Sequence, residues 1–160
     1  SDAGTPGISD PGGKLVQAVI DKFDDEVKIE SVPGASAVTA ALSISGIPTD
    51  KYVFMGFPPH KKGRQKFITK ITESVYPVVV YESKHRILKF LEELREINKQ
   101  IIKKNKQIDD ERQYGLTKKK DIEDKSPEVT SVVVCRELSK MHETVYRGNL
   151  KHIIERIKEN

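Results

Sequence analysis

Several stretches of this 160-residue sequence collect side chains that can hold or move charge. YESKHR, residues 81–86, sets a carboxylate, an imidazole and a guanidinium within a few positions. Glu82 can accept a proton or hold an amino group, and His85 and Arg86 can contact phosphate or ribose. A plainer use fits as well, with Glu82 and Ser83 capping a helix and His85 and Arg86 on its solvated face. CRELSKMHETVYRG, residues 135–148, again ends a strand in charge, and Arg136 with Glu137 serves either chemistry or an ion pair between loops. GFPPHKKGRQK, residues 56–66, joins a rigid turn to a basic run. Neutralising phosphates releases counterions, so such a run can give salt-sensitive affinity, although charge runs are also ordinary solvated surface.

Two further loops offer backbone rather than side chains. SDAGTPGISDPGG, residues 1–13, fails as a P-loop, because Leu15 follows Lys14 where Ser or Thr is needed and Ile8 stands where the leading glycine belongs. Its Asp2, Ala3, Gly4, Thr5 and Pro6 can instead bring bare backbone against a small neutral or cationic ligand. PGASA, residues 33–37, has a glycine for a tight turn, Ser36 to cap a helix and no bulky side chain to fill a pocket. Two such loops after successive elements favour one shared pocket.

The composition sets bounds on this chemistry. With 36% hydrophobic and 32% charged residues the chain is globular in composition, and its longest apolar run, at 75–81, falls far short of the roughly 20 residues a bilayer helix needs. No membrane partner is expected. One cysteine, Cys135, builds no internal disulfide, and four scattered histidines offer no metal spacing, so a reducing cytoplasm is the expected location and no metal is called for. The net charge of +4 is compatible with a polyanionic partner, and the basic residues concentrate in 60–66 and 99–125.

Periodicity supplies the elements that must position these loops. Leu15, Val16, Val19, Ile20 and Phe23 recur at helical spacing, with Asp10 and Pro11 as start signals. A short strand is predicted at 27–32, then a small-residue helix ending at Gly46. Pro48 marks a boundary, placing residues 1–49 in one α/β domain and 50–160 in a second. Within the second, strands are predicted at 52–57, 77–81 and 131–136, and helices at 63–74, from 84 to 97 or beyond, and at 150–158. The stretch at about 98–127 is rich in charge and reads as an exposed insertion, with a helical extension as one form. Alternating strands and helices give an α/β class of mixed sheets flanked by helices, in which ligands sit beyond the carboxyl ends of strands.

In order and together, SDAGTPGISDPG, PGASA…AL…SG, GFPPHKKGR, YESKHRI and CRELSKMHETVYRG resemble the signatures of the 16S ribosomal RNA (cytidine 2'-O)-methyltransferase family, of tetrapyrrole methylase fold. They span nearly the whole sequence outside the charged stretch. The resemblance implies a two-domain enzyme that uses S-adenosylmethionine to methylate a ribose 2'-hydroxyl in 16S RNA of the 30S subunit. It implies a cofactor site lined by Asp2, Ala3, Gly4, Thr5, Ser36 and Ala37, approached by Tyr81, Arg136 and Glu137, with Glu82 as candidate base. Lys61, Lys62, Arg64, His85 and Arg86 would face RNA, by charge and position more than by motif. A homodimer is a further family trait. Relative to the family pattern the leading portion, with its first strand, is absent, so the sequence reads as the C-terminal part of such a fold. Lys84 replaces a usual proline. A porphyrin-type methylase and a non-catalytic RNA-binding module are the competing readings.

Overall fold

The computed structural model describes residues 4–9, 11–114 and 125–159, in two compact units, Ser1–Gly46 and Ile47–Asn160. The start signal at Asp10 and the part of the charged stretch at 115–124 lie outside the described residues.

In the first unit, helix α1 (Gly13–Phe23) forms on the expected apolar spacing, passes through a 3-10 turn at Asp24–Glu26, and is followed by α2 (Ala37–Ser45). Gly46, at φ +75°, ends α2 in the left-handed conformation that a glycine adopts without steric cost. The strand expected at 27–32 is absent among the described residues. A strand needs a neighbour for its backbone ladder, the described part of this unit offers none, and Ile29 and Val32 remain 47% and 78% exposed.

The second unit carries two two-stranded sheets. Strand β1 (Val53–Gly56) pairs in parallel with β2 (Val78–Val80), and β3 (Val132–Arg136) pairs antiparallel with β4 (Thr144–Gly148), from Val132 opposite Gly148 to Arg136 opposite Thr144. Helix α3 (Arg64–Thr72) lies in the crossover that the parallel pairing of β1 and β2 requires. Helix α5 (Leu150–Lys158) starts at Asn149, whose Oδ1 accepts from the His152 N–H at 2.9 Å, and buries Leu150, Ile153 and Ile154. These residues, with Ile68, Phe90, Leu91, Leu94 and Tyr146, form the core, and Val80, Val132 and Val134 pack on it from both sheets. Strand β4 leaves little trace in the sequence: ETVYRG places only Val145 and Tyr146 as apolar residues, too few for alternation to register.

Helix α4 (Ile87–Tyr114) runs 28 residues, so the charged stretch is helical as far as Tyr114. It is also more than a solvated extension. Asn98 exchanges two hydrogen bonds with the Val129 backbone, donating to its carbonyl at 3.0 Å and accepting from its N–H at 2.8 Å. Seven residues on, Asn105 does the same with Ser126, at 2.9 and 3.1 Å, and donates to Glu128 Oε1 at 2.7 Å. Two helical turns separate the asparagines, so both face one side of α4. They tack the chain entering β3 along the helix as a partner strand would.

Candidate functional site

Within the first unit the two backbone loops meet. The Thr5 N–H donates to the Ala35 carbonyl at 3.1 Å and the Thr5 hydroxyl donates to the Gly34 carbonyl at 3.0 Å. Gly4 is needed for this approach, since a Cβ there, at φ +75°, would stand 2.2 Å from Ala35 O, and Gly34 eases it, since a Cβ there would fit tightly at 3.2 Å from Gly4 C and Thr5 N. Ser36 occupies the N-cap position of α2 but its side chain makes no cap hydrogen bond; its carbonyl accepts from the Ala40 N–H at 2.9 Å. The loop pair therefore presents Ser36 Oγ and the first-turn amides of α2, beginning with Ala37, as groups able to meet a polar ligand. Asp2 and Ala3 lie outside the described residues.

In the second unit, residues just past the carboxyl ends of β1 and β2 form a charged cluster. The Tyr81 N–H donates to Gly56 O at 2.9 Å, which holds the exits of the two strands side by side. Glu82 follows, with a side chain only 1% exposed. Its Oε1 accepts from the Ser83 N–H and meets Arg86 Nη2, both at 2.8 Å, while Oε2 lies 3.6 Å from Arg64 Nη1. Arg64 is also bound by Glu93 Oε2 at 2.6 Å and donates to the Pro59 carbonyl at 3.2 Å. Its guanidinium stacks 5.9 Å from the Phe90 ring centroid. Arg86 donates from Nε to Ser83 Oγ at 3.1 Å, and its Nη1 lies 2.7 Å from His60 Nε2. Two atoms of this cluster, Glu82 Oε2 and Arg64 Nη2, are buried without a hydrogen-bond partner.

This geometry sorts the residues singled out from the sequence. Arg64, expected to face RNA, is turned inward and 8% exposed, because two carboxylates and a carbonyl hold its guanidinium beneath the loop. Lys61, Lys62 and His85 are exposed, and Arg86 is partly so. No carboxylate among the described residues pairs with Lys61, Lys62 or Lys84. Tyr81 stacks edge-on against Phe54 at 5.1 Å and at a tilt against Phe57 at 5.3 Å, leaving Phe57 half exposed at the strand exits. Arg136 is the exposed last residue of β3, and Glu137 begins the turn to β4 at φ +52°. That turn is held by Ser139 N–H donating to Glu143 Oε2 at 2.7 Å and Lys140 N–H donating to Glu137 O at 3.0 Å. No hydrogen bond or ion pair among the described residues joins Arg136 or Glu137 to Tyr81 or Glu82.

Two members of the cluster carry no distinctive signal in the sequence. His60 is one residue of a basic run, and Glu93 lies inside a helix among other charged residues. The available signal was position: Glu93 falls between Phe90 and Leu94 on the buried side of α4.

Residues 1–154 match the model of the tetrapyrrole (corrin/porphyrin) methylases. The chain belongs to this family. Among curated relatives, "Ribosomal RNA small subunit methyltransferase I" of Hydrogenobaculum sp. (strain Y04AAS1) is 35% identical across 99% of this tetrapyrrole methylase chain and 55% of its own length. The proteins of the same name from Synechocystis sp. and Thermotoga maritima are 35% and 30% identical, across 100% and 96% of the chain and 47% and 55% of their own. The chain spans about half the length of the curated relatives it matches. Among the described residues, no helix is long and apolar enough to cross a membrane.

Proposed function

We propose that this methylase transfers the methyl group of S-adenosylmethionine to a cytidine ribose 2'-hydroxyl in the 16S RNA of the 30S subunit. One observation carries the reading. Relatives named for small-subunit ribosomal RNA methylation align over nearly all of the chain, across both the glycine loops and the basic loops. A macrocycle substrate, which the family's name also covers, gains no support from these relatives, which are named for ribosomal RNA.

The first unit's loops fit an adenosyl-amino-acid ligand in chemical kind. Gly4, Thr5 and Gly34 keep side chains out of the way, and Ser36 and the Ala37 amide at the start of α2 supply polar contacts, the latter suited to a carboxylate. Asp2 and Ala3 belong to the same proposed set. Tyr81, Arg136 and Glu137 are proposed as further cofactor contacts. The cofactor supplies an already activated methyl group, so the protein's task is mainly to hold the hydroxyl oxygen in line and exclude water. Lys61, Lys62 and His85 are proposed to bind RNA phosphates, whereas the Arg86 guanidinium is engaged by Glu82, Ser83 and His60 instead, and pairing of two copies is proposed from family likeness alone. A cytoplasmic location suits such a substrate.

The reading is tested by calorimetry with S-adenosylmethionine and by RNA binding across a salt series. Cofactor affinity should fall in Ser36→Ala. Replacing Lys61 and Lys62 together should make the dependence of log K on log salt shallower by about two contacts. Absence of cofactor binding together with salt-independent RNA binding would refute it.

A further inference from the structure

We propose that Glu82 is a positioning residue, the buried anchor that fixes two basic loops into one RNA-facing platform, and not the acceptor of the ribose proton. The inference rests on the RNA reading above and assigns Glu82 a different part in it.

A general base must come within about 2.6–3.2 Å of the proton it takes, directly or through one water. Glu82 is badly placed for that. Its side chain is 1% exposed, Oε1 already meets two donors, and Oε2 is buried facing the guanidinium of Arg64. What the carboxylate does reach is both loops. Through Oε1 it holds Arg86, which stands on its own loop and touches His60 on the other at 2.7 Å. Through Oε2 it faces Arg64, which ties down the Pro59 carbonyl and begins α3. Residues 59–64 and 83–86 are thereby coupled through one carboxylate.

The charge count explains why the anchor is acidic. Beneath the loops two guanidiniums, Arg64 and Arg86, are balanced by two carboxylates, Glu82 and Glu93. The interior is neutral, and the exposed rim of Lys61, Lys62 and Lys84 keeps its positive charge toward solvent. Phosphates contacting such a rim are positioned without base recognition, which is the part of binding that depends on the spacing of the cations. Loosening the anchor should therefore scatter the rim while leaving its charge intact.

The test uses the chain with Glu82→Gln and with Arg86→Lys, which keeps its charge but loses the planar fork. Three readouts are compared with wild type: binding of a fluorescein-labelled RNA hairpin across salt, amide exchange of 60–64 and 83–87 without RNA, and methyl transfer resolved into kcat and KM. Both variants should bind the hairpin about ten-fold more weakly, exchange faster in both loops, and raise KM for RNA. At saturating RNA kcat should stay within about three-fold, with an unchanged pH profile. Wild-type affinity with unchanged exchange in folded Arg86→Lys would overturn the anchor, whatever Glu82→Gln does to folding. Loss of kcat at unchanged KM in Glu82→Gln, with loss of a limb of the pH profile, would restore Glu82 as the base and overturn it equally. Failure of the wild-type chain to bind the hairpin would refute the RNA reading and the platform's purpose, while the exchange rates still decide whether the loops are coupled.

Discussion

Asn98→Ala removes both hydrogen bonds that α4 makes to Val129, one in each direction, at 3.0 and 2.8 Å. The Val129 N–H and C=O are then left in a half-buried position with no partner strand. A typical hydrogen bond contributes a net of about 0.5–1.5 kcal/mol, and a polar group stranded without one costs about 1–3 kcal/mol. Partial exposure of Val129 lets water recover some of this loss, which leaves an expected cost of roughly 2 kcal/mol. For a unit of about a hundred residues, that lowers the melting temperature by about 10 °C. Asn98→Asp keeps the acceptor for the Val129 N–H but sets a buried carboxylate oxygen against the Val129 carbonyl, so its loss should be at least as large. The assay is thermal unfolding followed by circular dichroism, with urea titrations to confirm an unchanged m-value. Lys103→Ala, on the exposed side of α4, is the control and should stay within about 0.5 kcal/mol of wild type. Should Asn98→Ala match that control, the asparagines do not hold the segment, and the account of the charged stretch as a tacked extension fails.

Gly4→Ala sets a methyl group 2.2 Å from Ala35 O at φ +75°. Left-handed backbone alone costs a non-glycine residue roughly 1–2 kcal/mol, so the loop pair should part, with faster exchange at the Thr5 amide and at least ten-fold weaker binding of S-adenosylmethionine; unchanged exchange and affinity would show that the contact is dispensable. The Glu92 carboxyl is held below its usual 4.5 by its hydrogen bond to Lys158 and the charge of that lysine. Because the folded-state value is depressed, the tie between α4 and α5 favours folding above pH 4.5 and fades as pH falls through the lower folded value, so Lys158→Ala should flatten the acid limb of a stability-against-pH curve, most clearly at low salt. Burial pushes the Cys135 thiol above 9.0, against the pull of Arg147. Iodoacetamide should therefore label it slowly at neutral pH and quickly in urea; labelling of the folded protein at the rate of free cysteine would contradict this.

The sequence carried the second unit well because its elements follow strong local signals. Asn149 caps α5 and its apolar residues keep a 3.6 period, so Leu150–Lys158 was predictable to the residue. Long-range pairing was less legible. Residues 27–32 have strand-like composition, yet strands depend on neighbours, and no partner is present in the described part of that unit. Asn98 and Asn105 looked like polar surface in a charged stretch, since nothing local reveals that segment 125–129 returns to meet them. At the candidate site, glycine content showed where backbones approach, and charge showed where anions are attracted. The difference between Arg64, buried against two carboxylates, and Lys61, exposed, is that Arg64 begins α3 while Lys61 lies in the loop before it. Only the structure makes that visible.

Transfer of labelled methyl from S-adenosylmethionine to 30S particles, with the product digested and its nucleosides identified, tests the central claim most directly. Label is expected in a 2'-O-methylated cytidine, and Lys61→Ala/Lys62→Ala should reduce transfer at low RNA concentration more than at saturation. Label that stays out of the RNA, or that passes instead to a tetrapyrrole offered in the same reaction, would contradict the account.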